Sequence, residues 1–363
     1  MRVVVIGGLG NFGARICRRL AQEPGFEVIA TSRGVDGIRP AASVATGKLD
    51  IDSAELTANL KALAPDLVIH CAGPFQGQDY RVALASLACG ANYIDIADGK
   101  EFVVGFVDAV GPAANAAGRF AITGASTLPA LSSAVVDALK EPLASLNSIE
   151  VVIAPGQHTP RGAATIAGVL GYAGCSFRWW DNGAWREAYG WQEMKREHFS
   201  FGRRLAAACD VPDLELFPVQ YPGVRTVAFR AALEVSVQHY ALWTLAACRR
   251  IGLALPIARC AKAFDYIGTW LNWLGSDTGG MVVRVVGQTD EGKPLCRTWE
   301  LVAKANHGPE IPCMAAVILA NRLKRGAVVS PGAKVCMGIL SLADFEQEFS
   351  RWQISTRIKD EAA

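Results

Sequence analysis

The chain has 363 residues, of which 51% are hydrophobic and 19% charged, and its formal net charge is +2. This composition excludes a disordered protein and is sufficient for about two domains with buried cores. The net charge is too small, and the Lys and Arg residues too dispersed, to indicate a nucleic-acid partner.

The ten cysteines form no Cys-x-x-Cys pair and no cluster with histidine at metal-ligand spacing. We therefore expect reduced thiols, no metal site and a cytoplasmic protein. The N-terminal apolar run is too short for a signal peptide. The longest apolar region, residues 240–263, is interrupted by Arg249, Arg250 and Pro256, so it falls short of the ~20 residues that a membrane-spanning helix needs. The tryptophans and leucines of residues 243–274 leave association with a membrane surface open without indicating it.

The first predicted elements are a short apolar strand over residues 1–6, a glycine loop and a helix over Ala14–Glu23. Gly8, Gly10 and Gly13 form a Gly-x-Gly-x-x-Gly frame between strand and helix, the context in which this pattern indicates dinucleotide binding. We assign the tight turn to Gly8, the approach of backbone to a pyrophosphate to Gly10, and close helix–strand packing to Gly13. The N-terminus of the helix adds unpaired N–H groups and the positive end of a dipole.

The second predicted strand, residues 27–31, ends in Ser32 and Arg33. An NAD site usually places Asp or Glu at this point to bind the ribose 2′-hydroxyl. A hydroxyl and a guanidinium suit a 2′-phosphate instead. The sequence therefore predicts NADP in preference to NAD.

A weaker third strand, Val44–Leu49, is followed by Asp50 and Ile51, where open α/β sheets bind their ligands. These two residues fit either an adenine contact or a plain helix entry. Asp52 is the expected N-cap of the next helix, Ser53–Leu63.

The fourth strand, residues 66–71, leads into the loop Ala72-Gly73-Pro74-Phe75, whose glycine allows close approach to a ligand. In a dinucleotide fold this loop faces the middle and the nicotinamide half of the cofactor. After the fifth strand, residues 92–97, Asp98 forms either a capping box with Glu101 or, with Lys100, part of a site beside the nicotinamide.

Strand six, residues 119–124, is followed by Ser126 and Thr127, which we expect to cap the next helix. Alternation of strands and helices predicts a Rossmann doubly wound parallel sheet for residues 1–145, completed by residues 311–350.

Residues 146–310 are predicted to form an inserted α+β domain with a mixed, largely antiparallel sheet that binds substrate and mediates dimerisation. Asn182-Gly183 marks a hairpin between aromatic-bearing strands. Further elements are expected in four places: strands at Ala232–Leu242, Gly280–Val286 and Arg297–Ala303, and a helix at Met314–Arg325.

Four polar residues of the inserted domain are candidates for substrate chemistry. Arg161 and Arg225 are suited to holding a substrate carboxylate, and His158 and His239 to acting as a general acid or base. The alternative for each is an ordinary surface arginine or a half-buried histidine.

Four segments occur in an order that resembles the saccharopine dehydrogenase-like oxidoreductase family: residues 7–13, 71–76, 88–98 and 124–133. The resemblance implies an NADP-linked enzyme that transfers hydride at an imine or secondary-amine centre of an amino-acid-like substrate. The expected cofactor contacts are Gly8, Leu9, Gly10, Asn11, Phe12, Gly13, Ser32, Arg33, Asp50, Ile51, Ala72, Gly73, Pro74 and Phe75.

Asp98, Lys100 and His158 are the candidate proton donors, with a small-molecule substrate in an interdomain cleft and a homodimer as the expected assembly. One alternative is an NADPH-dependent reductase of an activated C=C bond in a lipid-like substrate, which the apolar second domain would suit. Another is a non-catalytic NADP-sensing protein.

Overall fold

The computed structural model describes residues 1–34, 39–160, 163–253, 266, 268–327 and 330–362. Arg161 therefore lies outside the described residues. The chain divides into two units: Met1–Leu131 with Glu310–Leu340, and Ser132–Pro309 with Ser341–Ala363. The units differ from the predicted domains in that residues 132–145 and 341–350 belong to the second unit.

The first unit is built on a seven-stranded parallel sheet with helices in the connections. Its strands are β1 (Arg2–Ile6), β2 (Glu27–Ser32), β3 (Ala45–Lys48), β4 (Leu67–His70), β5 (Asn92–Asp95), β6 (Phe120–Thr123) and β15 (Gly332–Val335). Its helices are α1 (Asn11–Ala21), α2 (Leu56–Leu63), α3 (Arg81–Ala88), α4 (Lys100–Ala117) and α9 (Ile311–Lys324). The sheet order is β15-β6-β5-β4-β1-β2-β3, which contains the 3-2-1-4-5-6 arrangement of dinucleotide-binding sheets.

The second unit contains a nine-stranded mixed sheet, in which β7 and β12 are parallel and the other neighbours antiparallel. Its strands are β7 (Ser145–Ala154), β8 (Ser176–Asp181), β9 (Ala184–Tyr189), β10 (Lys195–Phe199), β11 (Gly202–Ala208), β12 (Thr226–Leu233), β13 (Gly279–Gln288), β14 (Pro294–Ala303) and β16 (Ile354–Ala362). Its helices are α5 (Ser132–Lys140), α6 (Ala163–Tyr172), α7 (Asp213–Gln220), α8 (Ser236–Arg250) and α10 (Leu342–Phe349). The predicted fold class, a Rossmann sheet plus a largely antiparallel mixed sheet, is confirmed.

Two predictions about where helices and strands begin and end are wrong. The expected strand over Ala232–Leu242 ends at Leu233, and α8 begins at Ser236. The apolar residues there satisfy a helical period, since α8 buries His239, Leu242 and Ala246 at intervals of three and four residues. Asp52 does not cap α2: its own N–H donates to the Asp50 carboxylate at 3.1 Å, and the helix begins at Leu56.

Among the described residues, no helix is both long enough and apolar enough to cross a membrane.

Candidate cofactor-binding site

Gly7 and Gly8 form the turn between β1 and α1, with different roles. Gly7 has a φ of +75°, in the region that favours glycine, so the tight turn assigned to Gly8 is made by Gly7. Gly8 donates its N–H to the Thr31 carbonyl at 3.0 Å, and a Cβ on Gly8 would lie 2.7 Å from Cα of Ala30. Gly8 is therefore required because β2 passes directly against it.

Gly10 and Gly13 shape the first turn of α1. A Cβ on Gly13 would lie 2.2 Å from the Gly7 carbonyl oxygen, so the helix packs against the loop as closely as predicted. Gly10 precedes the helix in an extended conformation, and no side chain caps the helix N-terminus. The nearest neighbour of a Cβ on Gly10 would be the Gly7 oxygen, at 3.2 Å. The first turn thus presents backbone N–H groups that an anion can reach.

A basic depression of about 300 Å³ lies beside this turn. It is lined by residues of the glycine loop, α1 and the segment after β2: Leu9, Gly10, Asn11, Ala14, Arg15, Arg18, Arg39 and Pro40. Arg15 forms an ion pair with Glu310, which precedes α9. In the part of the chain that the structure describes, Arg18 and Arg39 have no ion-pair partner.

Arg18 and Arg39 were missed in the sequence analysis. The signal for Arg18 was its three-residue spacing from Arg15, which places both on one face of α1. Arg39 carried no local pattern.

The ends of β2 and β3 lie side by side at the carboxyl edge of the sheet. Ser32 pairs with Lys48, and the Leu49 N–H donates to the Ser32 carbonyl at 2.9 Å. The structure therefore brings exposed Arg33 and half-buried Asp50 and Ile51 to one edge, beside the glycine loop.

The loop Ala72–Phe75 after β4 is held by two side chains that sequence reasoning missed, His70 and Gln78. The Gln78 amide donates to the carbonyls of Ala72 at 2.8 Å and Pro74 at 2.6 Å. Its oxygen lies 3.1 Å from Nε2 of His70. Burial lowers the pKa of His70 to about 4, so this histidine is neutral near pH 7 and donates to Gln78 through Nε2.

Phe75 connects this loop to the segment after β5. Its ring is buried, 5.0 Å from the His70 ring and 5.4 Å from the Phe102 ring. A Cβ on Gly99 would lie 3.2 Å from Gln76 N, so the two loops touch. The residues flanking Gly99, Asp98 and Lys100, are thereby placed next to the loop expected to contact the cofactor.

Asp98 does not form the capping box, because Gly99 precedes α4 and no side chain caps that helix. The residue as a whole is exposed, but burial of its carboxyl group raises the pKa above the ordinary value. Its role as a proton donor, like that of Lys100, stays a prediction.

Asp95 has a structural role at the same edge. It is fully buried and accepts hydrogen bonds from the Gly124 N–H at 2.8 Å, the Thr123 hydroxyl at 2.9 Å and the Ala97 N–H at 3.0 Å. Burial raises the pKa of Asp95 to about 6, and these hydrogen bonds oppose the rise. The carboxylate thus joins the ends of β5 and β6.

The second unit separates two candidate substrate residues. His158 follows the carboxyl end of β7, and its Nε2 donates to the Asn272 carbonyl at 2.9 Å. Arg225 lies beside the other end of β7, since its N–H donates to the Asn147 carbonyl at 2.8 Å. At about 3.3 Å per residue, seven residues of strand put these ends about 23 Å apart. His158 and Arg225 therefore do not form one compact site.

Comparison with known proteins gives the same fold. The sequence profile of the NAD dependent epimerase/dehydratase family matches residues 3–92. No curated protein matches the sequence. Apo saccharopine dehydrogenase (L-Glu forming) from Saccharomyces cerevisiae is similar with a TM-score of 0.67 at 13% identity, over 99% of this chain and 100% of that one.

Two further structures are similar. Homospermidine synthase from Legionella pneumophila, in complex with NAD, has a TM-score of 0.64 at 11% identity, over 100% of this chain and 91% of that one. An engineered D-amino acid dehydrogenase bound to NADP+ has a TM-score of 0.50 at 16% identity, over 96% and 98%. The resemblance predicted from the four sequence segments is confirmed at the level of fold.

Proposed function

We propose that this chain, which has the fold of saccharopine dehydrogenase, is a nicotinamide-dependent oxidoreductase acting at a carbon–nitrogen centre of an amino-acid-like substrate. The observation that carries the proposal is the uncapped first turn of α1 behind Gly10, at the carboxyl edge of a 3-2-1-4-5-6 sheet. The substrate class is suggested by the similar structures, which are named as a saccharopine dehydrogenase, a homospermidine synthase and a D-amino acid dehydrogenase.

The residues at this edge fit a nicotinamide dinucleotide. Backbone N–H groups of the turn Gly8–Gly13 would bind the pyrophosphate, and the loop Ala72–Phe75 would lie along the nicotinamide half. When bound, the cofactor supplies the hydride chemistry, and the protein supplies orientation and the exclusion of water. Gln78 and His70 fix the loop without changing charge near pH 7.

NADP is the proposed cofactor, because Arg33, Arg39 and Arg18 offer guanidinium groups near the end of β2 and the first turn of α1. Acidic residues would be expected at the end of β2 in an NAD site. The similar structures do not decide the choice, since one holds NAD and another NADP+.

Titrations of NADPH and NADH against wild type and Arg33→Ala test this cofactor preference. Loss of a charge-assisted hydrogen bond to a phosphate costs roughly 1.5–3 kcal/mol, so we expect Arg33→Ala to bind NADPH about ten- to a hundredfold more weakly. NADH affinity should not change. Arg119→Ala is the control, because Arg119 precedes β6, which lies three strands from β1 on the side away from β2. Equal affinity of the wild type for both cofactors would contradict the proposal.

Asp98, Lys100 and His158 are the proposed proton donors. We expect Asp98→Asn, Lys100→Ala or His158→Ala to lower turnover on an identified substrate by about 10²–10⁴-fold, the usual contribution of general acid catalysis. If all three variants keep full turnover, the assignment is wrong. The proposals that the protein is a cytoplasmic homodimer with a small-molecule substrate need separate measurements.

A second candidate is reduction of an activated C=C bond in a lipid-like substrate. One observation favours this second candidate. His158, a candidate proton donor, is hydrogen-bonded to Asn272, and Trp270 and Trp273 of the same segment are exposed. NADPH oxidation with enoyl thioesters but not with imines would select this candidate.

A further inference from the structure

The three arginines that line the basic depression beside α1 differ in how their charge is balanced. Arg18 and Arg39 have no ion-pair partner among the described residues, whereas Arg15 is paired with Glu310. The Arg15 and Glu310 side chains are only 16% and 10% exposed, so their ion pair is largely withdrawn from water. An arginine buried to this degree needs an anion beside it, because an uncompensated buried charge is strongly destabilising. Glu310 is the anion that the protein supplies.

Arg15 also faces the first turn of α1. Side chains of an α-helix lean toward its N-terminus, so that of Arg15 leans back toward Asn11, four residues earlier. Arg15, Asn11 and Gly10 line the same depression. The Nη1 atom of Arg15 contacts Glu310, and its Nε is buried without a hydrogen-bond partner among the residues that the structure describes. One guanidinium therefore belongs both to the ion pair and to the wall of the depression.

Glu310 reaches Arg15 from a helix that packs against α1. It directly precedes α9, the helix with which the chain returns to the first unit. In the first turn of α9 the Cys313 thiol donates to the Phe12 carbonyl at 3.5 Å, so the two helices touch beside the glycine loop. A carboxylate at the N-terminal end of α9 is also favoured by the dipole of that helix. The acidic partner of Arg15 is thus fixed beside the expected cofactor site.

We propose that Glu310 competes with the cofactor pyrophosphate for Arg15, and thereby limits the affinity of the site for both nicotinamide dinucleotides. The competition rests on the proposed function, in which the pyrophosphate lies at the first turn of α1. A phosphate there would form a charge-assisted hydrogen bond with Arg15, at the expense of the ion pair with Glu310. NADH and NADPH share the pyrophosphate, so Glu310 changes both affinities by the same factor. Selectivity between the two cofactors is left to Arg18, Arg33 and Arg39.

The test is calorimetric titration of the full chain with NADH and NADPH. Glu310→Gln removes the negative charge but keeps an oxygen that can accept from Arg15. We expect this variant to bind both cofactors about tenfold more tightly, with an unchanged ratio between them. Arg15→Gln should weaken both about tenfold, because the phosphate loses its cation. In the Arg15→Gln/Glu310→Gln double variant the gain from Glu310→Gln should disappear, since no cation is left to compete for.

Glu23→Gln is the matched control. Glu23 also pairs with a largely buried arginine of α1, Arg19, at 2.7 Å, but neither residue lines the depression. We therefore expect wild-type affinities for both cofactors. Circular dichroism and the thermal midpoint establish that each variant is folded.

Three results would overturn the proposal while leaving the proposed function standing. They are unchanged or weaker cofactor binding by Glu310→Gln, a gain for one cofactor alone, and a full gain from Glu310→Gln in the absence of Arg15, which would indicate plain charge repulsion. If the wild type binds neither dinucleotide, the proposed function fails, and inorganic pyrophosphate becomes the probe. Competition for Arg15 then requires pyrophosphate to raise the thermal midpoint of Glu310→Gln more than that of the wild type, and equal shifts would refute it.

Discussion

Asp213 provides a quantitative prediction about pH and stability. It is the first residue of α7, it is 1% exposed, and burial raises the pKa of its carboxyl from 3.8 to about 7. The nearby Ser132 hydroxyl opposes this rise. In the unfolded chain the same carboxyl ionises near pH 4.

The sign follows from proton uptake. Between about pH 4 and about pH 7 the folded state keeps a proton that the unfolded state has lost, so stability falls as pH rises through this range. The pKa difference of about three units destabilises the folded state by about 4 kcal/mol, at about 1.4 kcal/mol per unit. This penalty is complete above about pH 7. Below about pH 4 the carboxyl is neutral in both states and contributes no penalty.

Asp213→Asn should remove this penalty, because an amide of the same shape does not ionise. We expect the variant to exceed the wild type in free energy of unfolding by about 2–4 kcal/mol near pH 8, and to match it closely near pH 4. Urea titrations at both pH values measure the difference. The control is Asp137→Asn, since Asp137 is part-exposed and pairs with Lys140 at 2.6 Å. If wild type and Asp213→Asn lose stability in parallel as pH rises, Asp213 is not the titrating group and the reasoning fails.

The cofactor loop gives two further predictions. Gly13→Ala places a Cβ 2.2 Å from the Gly7 oxygen and should lower the thermal midpoint as well as NADPH binding. In Gly10→Ala the added Cβ would lie 3.2 Å from the same oxygen, so this variant should lower NADPH affinity with little change in the thermal midpoint. Equal effects of the two variants would contradict the distinct roles of Gly10 and Gly13. Gln78→Leu removes the donations to the carbonyls of Ala72 and Pro74. It should weaken NADPH binding about tenfold while the circular dichroism spectrum is kept, and unchanged affinity would show that the loop needs no such support.

Much of the fold was predictable because its signals are local. The apolar strands of the first unit and their flanking glycines gave β1, β2 and β4 to β6 within about two residues at most ends. The hairpin turn at Asn182-Gly183 has positive φ at both residues, 53° and 81°, as that dipeptide predicts. The prediction of a strand over Ala232–Leu242 was wrong, because short apolar runs satisfy strand and helix periods equally and packing decides between them.

The candidate site was predictable only where function constrains the backbone. The glycine frame indicated the turn, but which glycine has positive φ depends on how β2 passes Gly8. The hydrogen bonds between Gln78 and its loop, and the neutral state of His70, arise from burial that no local pattern records. Sequence reasoning likewise could not show that His158 and Arg225 lie at opposite ends of β7, because that depends on strand pairing.

The way the two units share the chain has a consequence for biosynthesis. The first unit lacks α9 and β15 until residue 335 has been made, although its glycine turn lies at residues 7–13. The second unit lacks β16, which pairs with β14, until residue 362. Neither unit can therefore complete its sheet before these strands have been made, and a chain truncated before residue 330 leaves β6 and β14 without the strands that cover them in the structure. Exposed edges of this kind are templates for aggregation, so premature termination should yield insoluble protein rather than a free cofactor-binding domain.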